Sequence, residues 1–151
     1  MLVELSKTDL STVCKKESIH VPVYKDVVKY EHVMHIVSEV HGLLKESKTS
    51  MDALIACLPA GTVSGSPKER AMEIINEIET ERRGVYAGGI GYISFNHDIN
   101  LAIAIRSIVV KETKAYLQTG AGIVSDSSPL NEYLETLQKA KSLTNLNGNK
   151  K

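Results

Sequence analysis

The sequence predicts an α+β fold, with helices flanking a run of antiparallel strands. Three observations carry this. Residues 68–82 place Ala71, Ile74, Ile75 and Ile78 at helical spacing behind Pro67, a residue suited to a helix start. Residues 84–95, 101–110 and 115–124 are β-prone runs joined by Asn96-His97-Asp98 and Lys111-Glu112-Thr113-Lys114, which read as hairpin connections in a meander. A last helix is expected over Pro129–Leu143, capped by Asp126-Ser127-Ser128, because short polar side chains satisfy the first free N–H groups.

The first half is less regular. Leu2, Leu5 and Leu10, with Val3 and Val13, suit an amphipathic helix from Met1 to Cys14 with no capping residue ahead of it. Residues 18–23 alternate loosely around Pro22 and read as a short edge strand or a turn. Val33-Met34-His35-Ile36-Val37 reads as a buried strand within 30–44, closed near Gly42. Residues 50–58 form a helix with Ser50 as N-cap and Asp52 in its first turn, stopped by Pro59. From Pro59 to Pro67, two Gly, two Pro, two Ser and Thr62 make a loop of unusual backbone angles. The domain is expected over 1–143, with 144–151 a frayed tail.

Composition narrows the partners. Eighteen basic and eighteen acidic residues give zero net charge, so neither nucleic acid nor an acidic solvating tail is indicated. No apolar run approaches the ~20 residues of a membrane helix, and Met1–Leu5 does not resemble a signal peptide. Cys14 and Cys57 are the only cysteines and lack metal-site spacing, which argues against a disulfide framework. A cytoplasmic chain with a small ligand is the expectation.

Several residues stand out chemically. Arg106 interrupts the apolar run after Leu101-Ala102-Ile103-Ala104-Ile105. A guanidinium there needs either an internal carboxylate or an anionic ligand. Gly120-Ala121-Gly122 lets backbone N–H groups approach an anion, or simply forms a bulge or turn. Glu132, Glu135 and Lys139 share one helical face, as a seat for Mg²⁺ or as a solvated face with an (i, i+4) ion pair. His35 is a hydrogen-bonded strand residue or a catalyst, and His32 lies on the opposite strand face, against a two-His metal site. Pro59-Ala60-Gly61-Thr62 presents a hydroxyl to a ligand, or is a turn.

In order along the chain, these segments resemble the chorismate-binding enzymes. The resemblance rests on the stretches 30–38 (YEHVMHIVS) and 58–68 (LPAGTVSGSPK). It continues through 102–106 (AIAIR), 120–124 (GAGIV) and 132–136 (EYLET), then Lys139. It spans about residues 1–143. The Pro59–Thr62 form of the loop is similar to that of the large, ammonia-using anthranilate synthases; aminodeoxychorismate and isochorismate or salicylate synthases are the alternatives within the family. The resemblance implies Mg²⁺-dependent conversion of chorismate and ammonia to anthranilate and pyruvate, with a glutamine amidotransferase subunit delivering the ammonia. It also implies roles. Arg106 and Tyr86 would hold a substrate carboxylate, assisted by Gly120, Ala121 and Gly122, while Gly61 and Thr62 would line the pocket. Glu132 and Glu135 would hold the metal beside Lys139, and His35 would assist proton transfer in the elimination.

Two departures accompany the resemblance. Family chains are much longer, and a further metal carboxylate is expected upstream of Met1. Glu4–Thr12 replaces the family's Asp-Leu-(Gly/Ala)-Arg-Asn-Asp-Leu-(Gly/Ala)-Arg with Lys7, Thr8 and Thr12 at Arg, Asn and Arg positions, and neither Lys nor Thr reproduces a bidentate Arg. An incomplete site, a partner-dependent or non-catalytic chain, and self-association through unpaired edges are the expectations that follow.

Overall fold

The computed structural model describes residues 1–29 and 34–144. These fall into two compact units, Met1–Gly61 with Ile93–Ile99, and Thr62–Tyr92 with the chain from Asn100 onward. Tyr30–Val33, with His32 and the start of the expected 33–37 strand, lie outside the described residues, as do residues 145–151; Thr144, where the expected tail begins, is still helical. Helices and antiparallel strand pairs share the chain, so the α+β expectation holds.

In the first unit, helix α1 (Leu2–Val13) starts at Met1 without a side-chain cap. Its C-terminal end is satisfied instead: the Lys45 ammonium donates to the Thr12 carbonyl at 2.9 Å, a cation on the negative end of the helix. Val13 and Cys14 are buried there. Gly42 explains how closely the chain passes them, since a Cβ on it would sit 3.0 Å from Cys14 Sγ and 3.3 Å from Ile19. Strands β1 (His20–Lys29) and β2 (Met34–His41) pair antiparallel, with irregular register between His20 and Asp26. The expected short strand or turn at 18–23 is therefore the start of a ten-residue strand.

The buried strand expected around His35 is not buried. His35 pairs with Val28 and is exposed, as are Met34 and Ile36. Its apolar residues mark a side that wants cover, and Met34 and Ile36 stay exposed among the described residues. Helix α2 (Ser50–Cys57) is capped by Thr49 rather than Ser50. The Thr49 hydroxyl accepts the Asp52 N–H, and the Asp52 carboxylate accepts the Thr49 N–H at 2.8 Å, a reciprocal pair that moves the start back one residue. The Thr49 N–H and hydroxyl hold the Asp52 carboxyl below the ordinary carboxylate range.

In the second unit, α3 (Gly61–Ser64, beginning at the last residue of the first unit) leads to α4 (Lys68–Ile78), which ends four residues before the expected Arg82. Of its expected core face, Ala71 and Ile75 are half-buried while Ile74 and Ile78 are exposed. Strand β3 (Gly89–Ile93) pairs with β4 (Ile99–Ile103) around the predicted turn, where Ser94 N–H donates to Asp98 O at 2.9 Å. Gly91 permits the pairing, because a Cβ there would fall 1.9 Å from the Asn100 carbonyl oxygen. Strands β5 (Ile108–Lys111) and β6 (Lys114–Leu117) form the other expected hairpin, with Glu112 in the left-handed region (φ 55°).

The meander of three long strands is thus replaced by two separate pairs. The single run expected over 101–110 breaks at Ala104–Ser107, where Arg106 adopts φ 54°. The ladder already ends at Ile103, so Arg106, three residues on and in the left-handed region, stands outside the strand it was expected to interrupt. The expected 115–124 strand shortens to β6, so Gly120–Gly122 follow it as irregular chain. Helix α5 (Pro129–Thr144) forms where expected, with the Glu132 N–H on the Ser128 carbonyl. Among the described residues no helix is long and apolar enough to cross a membrane.

Candidate functional site

The second unit gathers most of the residues singled out from sequence. Ala87 and Ala104 are its buried residues, and they are cross-tied: Ala87 N–H donates to Ala104 O at 3.0 Å, and Ala104 N–H to Gly88 O at 2.7 Å. This fixes Tyr86 beside Ala104, just past the end of β4 and two residues before Arg106. The chain reaches Tyr86 through a turn in which its N–H donates to Arg83 O at 3.0 Å and Gly84 takes φ 58°, a conformation glycine adopts without strain.

Around that anchor, five predicted residues meet. The Tyr86 hydroxyl lies against Gly120, where a Cβ would come within 2.9 Å of it. The Gly120 carbonyl accepts from Lys139 Nζ at 3.0 Å. Lys139 Nζ also meets Glu135 Oε1 at 2.5 Å, and the Lys139 carbonyl accepts from Arg106 Nη1 at 3.3 Å. Thr119 Oγ1 donates to Thr136 O at 3.1 Å, a second tie between the glycine segment and α5. A Cβ on Gly122 would meet nothing within 4 Å. Among the described residues, no protein acceptor takes the backbone N–H groups of Gly120, Ala121 or Gly122. Open space beside available donors is what an anion-binding backbone segment needs.

The remaining predicted residues are placed as follows. Glu132 is half-buried and Glu135 exposed, one turn apart on α5. Thr62 is exposed on α3. Gly61 and His35 belong to the first unit, the former packed so closely on α1 that a Cβ would sit 3.3 Å from Leu5 Cδ1. Among the described residues no group of three or more His, Cys, Asp or Glu side chains comes together, so α5 offers its carboxylates as a pair.

Arg83 was missed from sequence. Its Nε and Nη2 donate to the Glu79 carboxylate at 2.6–3.2 Å. Its Nη1 donates to the Val63 carbonyl at 2.7 Å, and its guanidinium stands 5.6 Å from the Tyr86 ring centroid. These bonds hold the Glu79 carboxyl below the ordinary range and raise the Arg83 guanidinium further still. The available signal was the (i, i+4) spacing of Glu79 and Arg83 just before Gly84. It foretells the ion pair and not the reach to Val63.

Comparison with known proteins identifies the family. The chorismate binding enzyme family model matches residues 1–145. Anthranilate synthase component 1 of Lactococcus lactis is 54% identical over 143 residues, 95% of this chain and 31% of that protein. The Aquifex aeolicus protein of the same name is 52% identical over 95% of this chain and 29% of its own length. Among solved structures, anthranilate synthase component I of Streptococcus pneumoniae superposes with a TM-score of 0.90 at 54% identity, over 95% of this chain and 33% of that one. A Bacillus anthracis protein assigned as a 2,3-dihydroxybenzoate-specific isochorismate synthase gives 0.80 at 33% identity, over 94% of this chain and 38% of that one. This chain therefore spans about a third of the length of the relatives it matches. With its residues 1–145 matched throughout, the chain belongs to the chorismate binding enzyme family.

Proposed function

We propose that this chain supplies part of the chorismate site of an anthranilate synthase large subunit. The reaction is Mg²⁺-dependent conversion of chorismate and ammonia to anthranilate and pyruvate, the first step of tryptophan biosynthesis. A separate glutamine amidotransferase subunit delivers the ammonia, and the setting is the cytoplasm. The observation that carries the reading is the Tyr86–Gly120–Lys139–Arg106 cluster beside the paired carboxylates of α5. The 54% identity to anthranilate synthases, against 33% to the isochorismate synthase, favours amination over simple hydroxyl transfer.

Each residue has a task in this reading. Arg106 supplies charge and paired N–H donors for a substrate carboxylate. The Tyr86 hydroxyl and the N–H groups of Gly120–Gly122 add neutral donors, so the anion is held without being over-neutralised. Thr62 and Gly61, at the start of α3, line the ring. Lys139 fixes the glycine segment through the Gly120 carbonyl and sets a positive charge against Glu135. His35 relays a proton as the enolpyruvyl group leaves as pyruvate and the ring becomes aromatic.

Glu132 and Glu135 fit magnesium by chemistry, because the ion takes hard oxygen donors and is commonly held by one or two carboxylates with water completing its shell. When bound, it would anchor the ring carboxylate and draw electron density from the ring. The ion pair between Lys139 and Glu135 competes for one of those carboxylates, so metal and ammonium share α5.

The test joins this chain with the upstream portion of a related large subunit. With chorismate, Mg²⁺ and an ammonium salt at alkaline pH, anthranilate fluorescence should rise. Chorismate loss giving isochorismate or aminodeoxychorismate would replace the assigned chemistry. No chorismate loss by a verified, folded assembly would point to a non-catalytic chain.

A further inference from the structure

We infer that Arg83 is a positioning residue of the substrate site, which sets Thr62 on α3 and the Tyr86 hydroxyl through one guanidinium. The inference rests on the reading of Tyr86, Thr62 and Gly120 as substrate-facing. Arg83 itself is given no substrate contact. Its bonds go instead to the parts that hold those residues: the Val63 carbonyl next to Thr62, the Tyr86 ring, and Glu79 at the end of α4.

The geometry explains why an arginine stands here. One edge of the guanidinium is spent on Glu79, with Nε 2.9 Å from one carboxylate oxygen and Nη2 2.6 Å from the other. That leaves Nη1 for Val63, twenty residues earlier in the chain, at 2.7 Å. A lysine ammonium is a point donor and cannot hold both directions while presenting a flat cation to Tyr86. Glu79 is what makes the arrangement rigid. Without it the guanidinium would be free to follow solvent, and a single carbonyl bond would not immobilise so long a side chain.

Rigidity then reaches the glycine segment. Arg83 and the Gly84 turn fix the Tyr86 ring, and the Tyr86 hydroxyl abuts Gly120, whose carbonyl is held by Lys139. A shift of Arg83 therefore moves the phenol relative to the Gly120–Gly122 donors and releases the Val63 carbonyl at the same time. Both sides of the predicted carboxylate seat depend on this one residue. Loss of Arg83 should thus weaken substrate binding in molecules that remain folded.

The experiment uses the full chain joined with the upstream portion of a related large subunit. It compares wild type with Arg83→Lys, Arg83→Ala and Glu79→Gln. Two readouts run on the same samples. KM for chorismate should rise about tenfold in Arg83→Lys, the loss expected when a forked contact becomes a single one, while kcat per folded molecule changes less. Hydrogen–deuterium exchange should quicken in peptides covering 62–66 and 118–122, with the β5–β6 hairpin unchanged. Glu79→Gln should give a smaller effect in the same direction. Unaltered KM with only a reduced folded fraction would overturn the inference. So would exchange at 62–66 and 118–122 matching wild type in Arg83→Lys. If wild type itself consumes no chorismate, the functional reading fails separately, and the exchange measurement still decides whether Arg83 positions these segments.

Discussion

Replacing Gly120 with alanine tests the contact at the centre of the site. The added methyl would lie 2.9 Å from the Tyr86 hydroxyl and 3.9 Å from its Cζ. The first distance is inside normal contact and the second is ordinary packing, so the clash is with one atom. Tyr86 cannot simply swing away, because Arg83 stands on its ring and the Ala87–Ala104 bonds hold its backbone neighbour. Overpacking of this kind costs about 1–3 kcal/mol, and each ~1.4 kcal/mol lost from chorismate binding is a tenfold weaker affinity. Gly120→Ala should therefore weaken chorismate binding about tenfold in the joined assembly. The decisive control is the double variant. Tyr86→Phe removes the clashing oxygen, so adding Gly120→Ala to it should have almost no further effect, a coupling of about 1 kcal/mol or more between the two positions. Gly122→Ala, which meets nothing within 4 Å, should leave thermal stability unchanged. Binding would be measured by titration calorimetry and stability by thermal unfolding. Strict additivity of Gly120→Ala and Tyr86→Phe would refute the reasoning, since it would mean that the methyl acts on something other than the phenol.

Glu135→Gln should abolish Mg²⁺-dependent turnover in the joined assembly while leaving its circular dichroism unchanged; activity retained at saturating Mg²⁺ would remove α5 from the metal seat. Arg106→Lys should raise KM for chorismate, because a point charge replaces a two-pronged donor, whereas a fall in stability with unaltered KM would assign Arg106 to internal bonding such as that with the Lys139 carbonyl. Glu79 is held below its ordinary pKa by Arg83, so its contribution is present above about pH 4.3, the unperturbed glutamate value, and is lost as pH falls through the depressed folded value. Glu79→Gln should flatten that acid limb in thermal unfolding measured from neutral to acid pH. The isolated chain should make no anthranilate under the fluorescence assay and should self-associate in size-exclusion chromatography; robust turnover by a monodisperse sample would show that the site is complete without further chain.

Local signals proved the most legible. The starts of α4 and α5, the turns at 94–98 and 111–114, and the Glu135–Lys139 pairing all rest on interactions within a few residues, which sequence spacing describes directly. Failures came where a distant partner decides the outcome. Residues 101–110 carry strand propensity throughout, yet Arg106 leaves the ladder and donates to a carbonyl 33 residues away. Arg83 ends in contact with Val63 for the same kind of reason. The cap of α2 moved by one residue because Thr49 and Asp52 satisfy two N–H groups together, an advantage Ser50 alone does not have. Burial around His35 was misjudged differently. Apolar residues report that a surface favours cover, and they do not say that the cover lies within the same 151 residues.

That distinction accounts for the surface as well. Strand β3 is exposed along its whole length, with Ile90 52%, Tyr92 60% and Ile93 52% accessible, and Ile36 and Met34 stand out from β2 at 72% and 67%. Strands with apolar residues in water on this scale belong to layers that close against more protein. The relatives are about three times longer, enough chain to supply that layer. The site has the same character. Arg106, Tyr86 and the glycine segment lie together, and α5 contributes carboxylates as a pair; in the proposed function these are the groups that would meet substrate and metal.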